Sequence, residues 1–352
     1  SHVVRLVRFK AQGMRIRLQL ALMRPKLSLL NILVAAVGVG LLVFTIRRVG
    51  WGEVVSGVTS VGWWFVAVVV LGATRMACRA RAWVICAQDA PQHPSTSALQ
   101  HLRFRDAFGA MIAADALGNL TPLGLLASEP TKIMLTRSRV STVTSVASVT
   151  IENAFYTASV AAVLLAGTWF FFQRAGVTPA LEQIAEVIVI AIAIAGVVGL
   201  WLARSQPAVL SRVAPLITRL AGRTAVPAEA IREVEARIYG VLKWPATRLA
   251  HVGGWEALFH VAAVAEVWMV LRLLPGGANA TIVDAFLLES AGRFVTIAFK
   301  FIPYRLGIDE AGSGAVAQAI GIGPAAGVTL ALVRRLRILC LNAVGLLVLA
   351  RK

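Results

Sequence analysis

Eight charged residues fall inside runs that are otherwise apolar: Arg75, Arg79 and Arg81 in one, Glu152 and Glu266 in two more, and Arg334, Arg335 and Arg337 in a fourth. Surrounded by hydrocarbon, each would cost several kcal/mol unless it has a partner or a wet cavity. Two kinds of chemistry fit. A planar guanidinium fork suits the geometry of a phosphate, so some of the arginines could hold a lipid headgroup. The same arginines could instead be neutralised by Glu152 and Glu266, tying helices together. Arg75 and Arg79 are one turn apart and share a helix face, and Glu289 and Arg293 stand at i,i+4, close enough to pair. Successive residues on a helix are about 100° apart, so Arg334, Arg335 and Arg337 cannot all share one face.

Of the 352 residues, 58% are hydrophobic and 15% charged, where a soluble domain carries about a quarter charged. So much apolar surface needs an apolar solvent, and the chain reads as an all-α, polytopic membrane protein. The net charge of +18 sits beside the apolar runs, which fits anionic lipid headgroups and the positive-inside rule; nucleic acid is not expected as a partner. Cys78, Cys86 and Cys340 lack CxxC spacing and the five histidines form no HExxH. GxxxxGK[ST] and GxSxG are absent as well. Neither a metal nor a cofactor is expected, and no nucleophile–base pair points to an enzyme.

Six spanning helices are expected over residues 27–46, 62–86, 141–172, 181–203, 247–274 and 324–350, with no cleavable signal peptide; Ser1-His2 reads as a tag remnant. Two further stretches, 101–139 and 279–323, are apolar but broken, one at Gly118-Asn119-Leu120-Thr121-Pro122 and the other at Phe301-Ile302-Pro303-Tyr304-Arg305. Helix, break, short helix reads as a re-entrant hairpin, tolerated at membrane depth only where protein or water covers the backbone. Basic residues alternate between rich and poor loops, which puts both termini in the cytoplasm of a bacterial inner membrane. Residues 226–242 read as a helix lying on the cytoplasmic surface, or as a solvated linker helix.

The broken stretches resemble each other. Asp106-Ala107-Phe108 opens one and Asp284-Ala285-Phe286 the other, and Pro122 precedes Glu129 by the same seven residues as Pro303 precedes Glu310. The chain therefore divides into residues 3–172 and 181–350, two repeats of three crossings each, the second inverted relative to the first. Such transporters place substrate near the midplane between repeats. Glu129 and Glu310 are expected to cap the second arm of each hairpin, or else to gate it or bind a lipid amine. Tyr304 and Arg305 would touch a headgroup or anchor the interface. Arg334 or Arg335 should face a cavity between the hairpins, because arginine against hydrocarbon is too costly.

The run Asn119-Leu120-Thr121-Pro122-Leu123-Gly124 through Glu129-Pro130-Thr131-Lys132 resembles a family's P-x-G…E-x-x-K/R segment. Gly307-Ile308-Asp309-Glu310-Ala311-Gly312 and Arg334-Arg335-Leu336-Arg337 resemble its G-x-x-E and R-R-x-R segments. That family is the lysylphosphatidylglycerol synthase transmembrane region, also called flippase-like, and the hopanoid-biosynthesis-associated subgroup is the nearer form. No stretch here forms the synthase's soluble aminoacyl-transfer domain, and the family's Glu-Arg pair on the third helix is Glu152-Asn153. The resemblance implies translocation of an amphipathic lipid, anionic or hopanoid-like, rather than lysine transfer. The substrate-binding set expected on these grounds is Arg75, Arg79, Asn119, Glu129, Lys132, Glu152, Glu266, Arg293, Tyr304, Arg305, Glu310, Arg334 and Arg335. A membrane-embedded lipid-modifying enzyme, or a non-transporting subunit of a lipid-synthesis complex, is the alternative.

Overall fold

The computed structural model describes residues 43–48, 50–88, 101–121, 124–174, 179–213, 227–299, 302 and 305–351. The described chain is all helical. Its helices are α1 (Trp51–Val61), α2 (Phe65–Cys86), α3 (Phe104–Leu120), α4 (Gly124–Thr136), α5 (Thr142–Arg174), α6 (Pro179–Ser205), α7 (Ala228–Gly240), α8 (Ala246–Leu273), α9 (Ile282–Ala298), α10 (Ile308–Ala319) and α11 (Pro324–Ala350). Most of the expected helix at 27–46 lies outside the described residues, as do Pro122, Pro303 and Tyr304.

Three stretches are long and apolar enough to cross a membrane: Trp51–Cys86, Thr142–Gln173 and Ala185–Ser205. Little of their surface is covered by protein, and α6 leaves Val187, Ile190, Ile194, Val197 and Trp201 more than half exposed. Apolar area of that extent has lipid as its natural solvent. The expected spans at 247–274 and 324–350 are helices of 28 and 27 residues, so length alone lets them cross.

One helix was not expected. Residues 51–61 read as a loop in sequence, yet they form α1, which a 3-10 turn at Gly62–Trp64 joins to α2. Val54, Gly57 and Val61 are its buried residues, spaced three and four apart as one helix face requires. Eleven residues are too few to register as a span, so a search for apolar runs passes over them. The stretch 226–242, expected to be helical, contains α7, followed by a 3-10 turn at Val241–Lys243.

Both broken stretches fold as two helices on either side of the break, α3 with α4 and α9 with α10. In the first pair the arms meet closely at the tip. A Cβ on Gly124 would collide with the carbonyl of Gly118, so only glycine permits this approach. In the second, Arg305 has φ +47, an uncommon backbone for a non-glycine residue, three residues before α10 begins.

The most extensive packing in the bundle is α2 on α8. Further contacts join α3 to α11 and α9 to α5, while α1 lies on α11 and α7 on α5. Apolar clusters close both ends of α2. Val61 and Val68 pack with Val267, Leu271, Leu287 and Leu330, and Ala80 and Trp83 pack with Ala107, Met111 and Val149. Between those clusters lie Arg75 and Arg79, at mid-length of the helix.

Candidate functional site

A cavity of about 550 Å³ opens between the tips of the two broken stretches. Its wall is built from the middle of α2 and α11, the break-proximal ends of α3 and α9, and the first turns of α4 and α10. The floor is ionic. Glu266 on α8 and Glu289 on α9 are 0% and 2% exposed, and carboxylates buried so deeply need cationic partners. Arg75 reaches Glu266 at 3.2 Å and Glu289 at 3.8 Å. Arg334 bonds Glu289 and lies 3.8 Å from Glu266, and Arg337 also bonds Glu266. Arg293 adds a contact to Glu289 at 2.6 Å. Four guanidinium groups therefore share two carboxylates, leaving this cluster with a surplus of positive charge.

A second ionic group stands beside it. Arg79 grips Glu152 with both ends of its fork, Nε to Oε1 at 2.7 Å and Nη2 to Oε2 at 2.9 Å. The same Nη2 donates to Asn153 Oδ1 at 3.1 Å, so Asn153 is a direct partner of Arg79. The guanidinium carbon lies 4.0 Å from the centre of the Tyr156 ring, close enough for a cation–π contact. Tyr156 OH in turn accepts from Arg293 Nη1 at 3.1 Å, linking this pair to the floor. Arg75 and Arg293 both lie over the Phe259 ring, at 5.0 and 4.8 Å.

The break-proximal ends carry their own short-range pairs. Lys132 meets Glu129 at 3.0 Å, Arg305 meets Asp309 at 3.0 Å and Arg335 meets Glu310 at 2.5 Å. Asn119 Nδ2 donates to Asp115 at 3.0 Å and to Asn342 at 3.2 Å, joining α3 to α11.

The members of the expected substrate-binding set that lie among the described residues converge here. Arg75, Arg79, Asn119, Glu129, Lys132, Arg293, Arg305, Arg334 and Arg335 line the cavity. Glu152, Glu266 and Glu310 sit behind that lining at 1%, 0% and 0% exposure, each held by arginine. Arg334 and Arg335 both face the cavity, and so does Arg337. Each pairs with a different carboxylate, Arg334 with Glu289, Arg335 with Glu310 and Arg337 with Glu266. Arg81 is elsewhere, stacked on Phe104 at 4.5 Å.

The capping expectation needs correction. α4 begins at Gly124, five residues before Glu129, so this carboxylate is past the first turn and cannot cap it. Glu310 does lie in the first turn of α10, where a carboxylate suits a helix N-terminus, and it also binds Arg335. Sequence reasoning also passed over Asp115, Tyr156 and Asn342. Asp115 carries a detectable signal as an acid in the middle of an apolar helix, whereas uncharged polar residues give none.

An apolar helical exterior around a charged interior defines an integral membrane protein. The family profile described as the Lysylphosphatidylglycerol synthase TM region matches residues 29–345, and the chain belongs to that family. Comparison with curated proteins and with solved structures gives no match.

Proposed function

We propose that this protein is a flippase-like lipid translocase. It moves an amphipathic lipid with an anionic headgroup, a phospholipid or a charged hopanoid-type lipid, between the leaflets of a bacterial inner membrane. The observation that carries this reading is the surplus of arginine around Glu266 and Glu289 at the wall of the central cavity. Uncompensated guanidinium charge at mid-helix is costly, and a phosphate entering the cavity offsets that cost while satisfying donors in pairs. The pairs at the break-proximal ends, Lys132–Glu129 and Arg305–Asp309, can open to admit or release the head.

The packing pattern supports two inverted repeats of residues 3–172 and 181–350. Exchange α1 with α7, α2 with α8, α3 with α9, α4 with α10 and α5 with α11, and the contacts map onto one another. The α3–α11 contact becomes α9–α5, and α1–α11 becomes α7–α5. The α2–α8 contact maps onto itself, as expected at an axis relating the halves. On this reading six helices cross, the two broken stretches are re-entrant hairpins entering from opposite faces, and both termini are cytoplasmic. The protein carries lipid and performs no covalent chemistry.

The test is leaflet exchange of a labelled phosphatidylglycerol in vesicles containing the purified protein. Arg334→Lys keeps the charge but loses the bidentate fork, and exchange is expected to fall about tenfold or more. The thermal midpoint should change little. Full exchange by Arg334→Lys, or none by the parent protein, would overturn the reading, and the second outcome would favour a non-transporting subunit of a lipid-synthesis complex.

A further inference from the structure

A second cavity, of about 280 Å³, lies where the end of α2, the start of α5, the end of α7 and the turn before α8 meet. Cys86, Thr144, Ser148, Arg237, Gly240 and Trp244 are among its walls. Arg237 is its charged residue. Its Nη1 donates to Thr144 Oγ1 at 2.6 Å and its Nη2 to Glu233 Oε1 at 2.7 Å. Its Nε is buried and finds no acceptor among the described residues. That is a guanidinium with one donor unspent beside an empty volume, and an unsatisfied buried donor calls for an acceptor.

The surroundings suit an anion with an apolar body. The Arg237 side chain is 17% exposed, whereas its carboxylate partner Glu233 is 40% exposed, so water or a stronger acceptor can replace Glu233 at little cost. Trp244 presents an aromatic wall, stacked on Phe155 from within and covered by the Arg248 guanidinium at 3.6 Å. Tryptophan beside arginine at the end of a spanning helix is the pairing that meets lipid heads at the membrane surface.

The fold does not demand this cavity. At the matching contact in the other half of the chain, α1 lies so close on α11 that a Cβ on Gly57 would stand 2.7 Å from Thr329 Oγ1. Where glycine lets those helices close, Arg237 stands between α7 and α5 and bonds Thr144 across the gap.

We propose that Arg237, Thr144 and Trp244 form a second anion site at the membrane surface, which takes the phosphate ester of a lipid headgroup with the acyl chains leaving past Trp244. It is separate from the central cavity and stands whether or not that cavity carries lipid across. The phosphate-ester chemistry would equally fit a soluble phosphate ester, so the test separates the two sources.

Native mass spectrometry of the full chain in neutral detergent counts bound short-chain phosphatidylglycerol. Arg237→Gln should weaken one of the bound lipids about tenfold or more and leave the other in place, with Arg237→Lys intermediate. Glu233→Gln, on an exposed position that does not endanger folding, should tighten the same lipid about threefold by removing the competing carboxylate. Displacement of that lipid by glycerol 3-phosphate alone would identify a soluble ester as the natural ligand, and failure to displace it a lipid; either result keeps the anion site. Equal occupancy by an uncharged short-chain diglyceride, or no effect of both Glu233→Gln and Arg237→Gln, would overturn it. A lipid sensitive to Arg237 but not to Arg334 would show this site standing while the central one fails.

Discussion

Glu256 stands on α8 one turn before His260, 1% exposed, with neither carboxylate oxygen hydrogen-bonded among the described residues. Glu266, ten residues on, is equally buried but held by three arginines. The same residue type on one helix should therefore respond oppositely to removal. Glu256→Met, which replaces an unsatisfied polar group by an apolar one of similar volume, should leave stability unchanged or raise it by about 1–3 kcal/mol. Glu266→Met strands buried arginines and should cost about 3–5 kcal/mol. Thermal unfolding in detergent compares them, and a lower midpoint for Glu256→Met would show that its carboxylate is bonded after all. Spacing in the sequence reveals only the local pairs, such as Glu289–Arg293 four residues apart. The partners that set the charge balance, Arg79 with Glu152 and Arg75 with Glu266, are separated by 73 and 191 residues, and no periodicity reports such a distance.

At the scale of the helix, α3 and α9 have the same length, 17 residues, and each ends at a break beside the cavity. Their partner arms depend on how closely the chain can turn back. Gly124→Ala pushes a methyl group against the Gly118 carbonyl and should cost about 1–3 kcal/mol while widening the tip. Gly196→Ala on α6 meets nothing within 4 Å and should be neutral or slightly stabilising, since alanine is the better helix former. Unfolding midpoints in one detergent distinguish the two, and equal values would mean that the first turn yields without strain. The helix–break–helix pattern was legible because Pro and Gly punctuate apolar runs so clearly. α1 was not, since its buried face rests on three small or β-branched residues, Val54, Gly57 and Val61, in a stretch too short to span.

Across the whole molecule, the proposed topology, drawn from the alternation of basic loops, predicts Gln88 and Gly276 on opposite faces of the membrane. Both are exposed, so cysteines introduced there, with Cys340→Ser to remove the exposed native thiol, should react with an impermeant reagent from opposite sides. Labelling of both from one side would refute the topology. Loop charge reports sidedness because short basic loops resist translocation, but says nothing of which helices touch, so the α2–α8 contact at the centre could not be foreseen. One property of that centre reaches furthest. The arginines around Glu266 and Glu289 belong to helices and do not travel with the cargo. On the proposed function, a phosphate crossing past them would move its own negative charge alone, and its passage would be an electric current. Each elementary charge gains about 2.3 kcal/mol per 100 mV, a bias on the order of fifty-fold between leaflets. On the proposed function, an interior-negative potential would drive anionic lipid outward without nucleotide hydrolysis. Vesicles clamped by a potassium gradient and valinomycin should accumulate labelled phosphatidylglycerol in the positive-side leaflet, and reversing the gradient should reverse the asymmetry.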